Sequence, residues 1–265
     1  MALPVKPSPR MSALLGGVVR PALATSPSAR YSAHMRHLSA IAFALLLSTP
    51  AAALPSAVLD PDLSFDARHA ACLELIAADA EVAFETALTW KGRGGGHRAR
   101  HCEAMSLWAL GQEREAAARL DALAEGFPAD AGYTVNQWRL DYRTAAAQSW
   151  LQGGEFDRAY ASATAALDAD ASDPEARITR ARVYFALDRV RDAETDLTSL
   201  LSFHPGHAEG LRYRADARLR LGEFDAALRD IEDSLAEDTT VDSALVRGHI
   251  LEAIRKQSTQ QEPPE

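Results

Sequence analysis

The segment "GEFDRAYASATAAL" occupies Gly154–Leu167, and "GEFDAALRDIEDSL" occupies Gly222–Leu235, 68 residues further on. Near-identical openings at a fixed separation mark an internal repeat. Halfway between them, from Asp188, the chain reads "DRVRDAETDLTSLLSFHP", so Gly154, Asp188 and Gly222 fall 34 residues apart. Ala159, Ala193 and Ala227 follow these turn positions by five residues, and Ala147, Ala181 and Ala215 precede them by seven. A small residue on each side of a turn lets two helices approach closely. A single helical hairpin cannot bury its apolar face alone, so consecutive hairpins must stack.

The repeating units run 140–173, 174–207 and 208–241. The second buries Ile178, Ala181 and Tyr184 on its first helix and Ala193, Leu197 and Leu200 on its second. The third offers Leu211, Ala215 and Leu219, then Phe224, Ala227 and Ile231. A more divergent copy, 97–130, places Gly111, Ala116, Leu120, Leu123 and Pro128 at the same offsets. The spacing from Gly111 to Gly154 is 43, which leaves a nine-residue insertion at 131–139, "AGYTVNQWR". It reads as a lengthened helix or as a loop around Trp138. Two short helices, 66–77 and 80–91, fit a degenerate first unit, so that 63–130 forms the irregular N-terminal part. "GRGGG" at 92–96 is a turn, since no strand precedes it and no GK[ST] follows as a phosphate-cradling loop requires. Residues 242–257 form an amphipathic helix expected to cap the array, 54–62 a linker, and 258–265 a disordered tail.

Composition agrees with an all-α protein. Hydrophobic residues make up 47% and charged residues 25% of 265, and alanine outweighs the β-branched and aromatic residues that favour strands. The net charge of −9 disfavours nucleic acid as a partner. The charge is unevenly placed. Residues 1–53 hold five of the 28 bases and no acid; the remainder holds 23 bases against 37 acids, a net of −14.

That leader reads as an address. From Met35 the chain runs "MRHLSAIAFALLLSTPAAALPS", with a basic start, an apolar core at Ile41–Leu47 too short to span a bilayer, Pro50, and small residues at 51–53. We expect a secretory signal at 35–53, cleaved after about Ala53, and a periplasmic or secreted protein with no stable membrane span afterwards. Residues 1–34 are read first as an over-extended start or a disordered leader. A mitochondrial-type presequence and a non-cleaved anchor at 39–53 are the rivals.

A 34-residue period with Gly at the turn, then Ala, then a terminal Pro resembles the tetratricopeptide repeat, strongly over 140–241, fairly over 97–130 and weakly over 63–96. The resemblance implies a helical-hairpin solenoid whose concave face binds an extended peptide or partner helix. In that family the face is lined by the second, fifth, ninth, twelfth and thirteenth positions of first helices. Here those places hold Asp141, Thr144, Gln148, Leu151 and Gln152, then Glu175, Ile178, Arg182, Phe185 and Ala186, then Glu209, Arg212, Asp216, Leu219 and Arg220. The expected partner-binding residues are Gln148, Ile178, Arg182, Phe185, Arg212, Asp216, Leu219 and Arg220. Their arginines suit an acidic segment, or else they pair with Glu175, Glu209 and Asp216 inside the array. The family's Trp at the fourth position and Leu-Gly at the seventh are absent. Arg143, Arg177 and Leu211 stand at the fourth, and Arg180 and Arg214 at the seventh, departures expected to bear on the groove more than the fold. The chaperone-clamp subtype needs Lys and Asn where Thr144, Gln148, Ile178 and Arg182 stand, so that mode is not expected.

Cys72 and Cys102 are the only cysteines. In an exported protein an even count reads as a disulfide, and a loop of about 30 residues contributes roughly 3 kcal/mol. The competing reading is a metal-binding or enzymatic protein built on His69, Cys72, His97, His101 and Cys102. No GxSxG or HExxH motif is present, so neither a catalytic residue nor a cofactor is expected. His204 and His207 flank a Pro-Gly turn and read as structural.

Overall fold

A computed structural model describes residues 54–128 and 132–261. The expectations for 1–53 and 262–265 lie outside the described residues. Among the described residues there are twelve helices and no strand. They are α1 (Leu54–Leu59), α2 (Phe65–Ala78), α3 (Ala80–Gly92), α4 (Gly96–Ala109), α5 (Glu113–Glu125) and α6 (Tyr133–Gln152). Then follow α7 (Phe156–Ala169), α8 (Pro174–Ala186), α9 (Val190–Phe203), α10 (Ala208–Arg220), α11 (Phe224–Glu237) and α12 (Val241–Gln261). Each helix packs on the next, and first helices also lie beside first helices, as α2 on α4, α6 on α8, and α10 on α8 and α12. The architecture is a helical-hairpin solenoid.

The turns are made one way throughout. Gly154 and Gly222 sit at φ of 76° and 77°, a left-handed conformation that a Cβ disfavours. Asp188, at the matching place, adopts φ of 56°, as an acidic residue tolerates. The residue after each turn donates its N–H five residues back: Glu155 to the Trp150 carbonyl at 2.9 Å, Arg189 to Tyr184 at 2.8 Å, Glu223 to Arg218 at 2.8 Å. The alanines predicted at the close approaches, Ala147, Ala159, Ala181, Ala193, Ala215 and Ala227, are all fully buried.

The seventh-position arginines belong to the fold, not to the groove. Arg180 grips Asp196 with two hydrogen bonds of 2.6 and 2.7 Å, and Arg214 grips Asp230 with two of 2.8 and 2.7 Å. Both aspartates are buried. Each pair spans 16 residues and ties a first helix to its own second helix. Unit 97–130 carries the same pair with its charges exchanged, Glu103 with Arg119. Arg177, standing where the family has Trp, donates to the Ala171 carbonyl at 2.9 and 2.6 Å.

Two boundaries depart from the sequence reading. The expected linker 54–62 contains α1, whose Val58 is fully buried with Ala71, Cys72, Leu75 and Trp90. A six-residue helix is too short to show periodicity. Residues 133–139 agree with the reading of the insertion as a lengthened helix: they are helical and lengthen α6. Residues 258–261, expected to be disordered, continue α12. There the Ser258 and Thr259 hydroxyls donate to the carbonyls of Arg255 and Lys256 at 2.8 and 2.9 Å.

Candidate functional site

The face formed by the first helices is bridged from helix to helix by side chains. Trp108 on α4 donates its indole N–H to Gln152 Oε1 on α6 at 2.6 Å. Gln148 on α6 donates to Thr179 Oγ1 on α8 at 3.3 Å. Between α8 and α10, the rings of Phe185 and Tyr213 lie 6.3 Å apart. The Arg220 guanidinium stands 4.7 Å over Phe185, and that of Arg212 stands 4.2 Å over Tyr213. These contacts make an alternating arginine–aromatic row. Arg212 also pairs with Glu209 at 3.2 Å, and Arg220 with Asp216 at 2.9 Å. Arg182 has no ion pair or hydrogen bond among the described residues. Leu219 is half-buried against Ala215 and its neighbours. Ile178 is not on this surface. It is buried with Ala181, Tyr184 and Leu197, because the apolar stripe of α8 claims it for the core.

Two polar groups on α6 are poorly satisfied. Thr144 Oγ1 is buried without a hydrogen bond. Burial, and next the Asp173 carboxylate, push the Asp141 carboxyl from 3.8 up to about 6, and no partner reaches it among the described residues. A carboxylate whose folded pKa is raised holds its proton longer folded than unfolded. Stability is therefore greatest below the unfolded value and falls as pH rises from about 4 through 6. Asp141→Asn should stabilise the protein by about 1–3 kcal/mol at pH 7. The gain should vanish near pH 4, as read by urea unfolding at both pH values.

At the other end of the face, histidines and aromatics form a closed cluster. His69 Nε2 meets His101 Nδ1 at 2.8 Å, and His97 Nδ1 meets the Tyr142 hydroxyl at 2.8 Å. Tyr142 stacks on His101 with centroids 4.7 Å apart, and Trp138 lies 4.2 Å from His97. Burial first, and Arg98 next, hold His69 and His97 down to about 4. His101 lies well below its ordinary value for the same first reason. Cys72 and Cys102 are joined in a disulfide, with Cα atoms 6.1 Å apart. The metal alternative does not assemble from these groups. The two sulfurs are bonded to each other, and the histidines face one another and Tyr142. Among the described residues no three His, Cys, Asp or Glu side chains are arranged to hold a metal ion. His204 and His207 serve the turn: His204 Nε2 meets the Ser172 carbonyl at 2.9 Å, and His207 Nδ1 accepts from the Gly210 N–H at 3.1 Å.

Residues 151–210 match the family profile described as tetratricopeptide repeat. Over that stretch the chain carries tetratricopeptide repeats. A tetratricopeptide repeat protein of Parabacteroides merdae shares 20% identity and a TM-score of 0.52 over 61% of each chain. A thermophilic one from Thermus thermophilus shares 17%, with a TM-score of 0.51, over 72% of this chain and all of its own. YrrB, described as a tetratricopeptide repeat protein with an unusual peptide-binding site, shares 12%, with a TM-score of 0.51, over 78% of this chain and all of its own. At these identities the likeness is one of fold. No curated protein sequence matches.

Within the repeat frame, sequence reasoning missed Tyr213 and Thr179. Both stand at sixth positions, outside the five that line the family's groove, yet each touches a predicted groove residue. It also missed Trp138 and Tyr142, although the insertion had drawn attention to Trp138. Among the described residues no helix is long and apolar enough to cross a membrane.

Proposed function

We propose that this chain is a non-catalytic scaffold that captures a protein or peptide segment on the concave face of its first helices, in the periplasm or outside the cell. The observation that carries this is Arg182. It is a half-buried arginine without a partner among the described residues, set beside an arginine–aromatic row that already has its own carboxylates. Bidentate guanidinium recognition favours an acidic side chain there, while the aromatic faces supply apolar contact along an extended backbone. The peptide-binding site ascribed to YrrB supports the reading, and an envelope-assembly role would accord with the secretory signal expected at 35–53.

The test is a peptide array probed with wild-type protein and with a charge-reversed Arg182→Glu, Arg212→Glu, Arg220→Glu variant. Wild-type ligands should be enriched in Asp and Glu, and reversal should weaken them by about tenfold or more. Unchanged binding by the reversed protein overturns the proposal. Cell fractionation, with mass spectrometry of the mature N-terminus, tests the location.

A further inference from the structure

Asp141 and Arg182 are opposite charges that the fold leaves unpaired. Asp141 on α6 and Arg182 on α8 are both half-buried, and neither makes a hydrogen bond or ion pair among the described residues. Asp173, whose charge acts on Asp141, is used to cap the Ala176 N–H of α8 at 2.7 Å. Burial and that neighbouring charge both oppose the ionised form of Asp141, so at neutral pH the residue weakens the fold that holds it. Thr144, one turn beyond Asp141 on the same side of α6, is 8% exposed and its hydroxyl makes no hydrogen bond. Among the described residues nothing in the chain answers this polar stripe.

One hydrogen bond fixes how far apart the two charges stand. Gln148 on α6 donates to Thr179 Oγ1 on α8 at 3.3 Å, and the two helices, first helices of consecutive hairpins, run in the same direction. Asp141 lies seven residues before Gln148, and Arg182 three residues after Thr179. At about 1.5 Å per residue those steps are about 10 and 5 Å, taken in opposite directions from the bridge. With about 9 Å between neighbouring helix axes, the charges stand roughly 17 Å apart. At that distance they cannot pair with each other, and water and salt screen each from the other. An extended chain rises about 3.3 Å per residue, so a segment lying on this face meets both groups with side chains about four to six residues apart.

We propose that the segment captured on this face is bipolar: a basic side chain pairs with Asp141 and, about four to six residues away, an acidic one pairs with Arg182. This rests on the reading of the first-helix face as the docking surface, and adds to it a second charge and a spacing. A lysine or arginine supplies the countercharge that the fold withholds from Asp141, and its several N–H donors suit a carboxylate. A segment with acidic side chains alone satisfies Arg182 but sets its negative charge against Asp141 and Asp173, which selects against it.

The test is a peptide array probed with the full chain, followed by titration of the preferred peptide. Bound sequences should be enriched in Lys or Arg at that spacing from Asp or Glu. Asp141→Asn should weaken the preferred peptide by about tenfold and remove the preference for a basic residue. Its melting temperature, expected to be no lower than that of the wild type, separates a lost contact from a lost fold. Asp141→Lys combined with Arg182→Glu should prefer the same peptide with its basic and acidic residues exchanged. Acidic ligands with no basic enrichment at that spacing, or an affinity that Asp141→Asn does not change, overturn this proposal and leave capture through Arg182 standing. An array that binds no peptide overturns both.

Discussion

Replacing Asp230 with alanine should destabilise the protein by about 3 kcal/mol at neutral pH, because a buried ion pair that loses one partner leaves its charge uncompensated. Asp230 accepts from Arg214 at 2.7 and 2.8 Å and from Arg218 at 2.8 Å, so its removal leaves two guanidinium groups facing one another. Both arginines retain some exposure, 16% and 20%, which keeps the expected loss near the lower end of the roughly 3–5 kcal/mol range for such pairs. Arg218 also has Glu194 at 3.2 Å, a second carboxylate, whereas Arg214 has beyond Asp230 only the Thr198 hydroxyl at 3.5 Å. Adding Arg214→Leu to Asp230→Ala should therefore recover part of the loss. A double-mutant cycle read by urea unfolding measures this coupling. If Asp230→Ala costs less than about 1 kcal/mol, or the double variant is less stable than the single, the pair does not hold the hairpin as described.

This pair also shows where the sequence was legible. The period, the turns at Gly154, Asp188 and Gly222, and the buried alanines were open to reading because each rests on a single residue type recurring at one offset. Arg180 and Arg214 recurred as visibly, but their meaning lies in Asp196 and Asp230, 16 residues on and across a turn. Neither composition nor helical periodicity links positions on two helices. The exchanged pair Glu103 and Arg119 hides the pattern further, since position-by-position comparison sees opposite residues. The docking face was half-legible for a related reason. Arg212, Asp216 and Arg220 stand where the repeat frame placed them, but they pair locally with Glu209 and one another. Arg182, in the same kind of position, is the one the frame could not single out. Ile178 failed because one position served two stripes, and apolar burial won. The cap was legible because α12 is amphipathic, with Ile250 buried against Ala215, Ala227 and Ile231; Val241, Leu245 and Leu251 stay exposed on it.

Removing the disulfide should have an effect of similar size but different reach. Cys72→Ala with Cys102→Ala opens a loop between residues 30 apart and should cost roughly 3–4 kcal/mol by loop-closure entropy. In a solenoid each unit contacts only its neighbours, so the loss should stay local. The bond joins α2 to α4, the same two helices that His69 and His101 join through their rings, and the unit it braces is the least regular one. Hydrogen exchange should accelerate in α2–α4, with α8–α11 protected as before, and reduction of the wild-type protein should reproduce the pattern. Equal loss of protection at both ends would mean that the array unfolds as one cooperative block. Because Phe185, Tyr213 and Arg182 lie on α8 and α10, peptide capture there should survive reduction even as the N-terminal units loosen. The disulfide would then act on the lifetime of the protein rather than on what it binds.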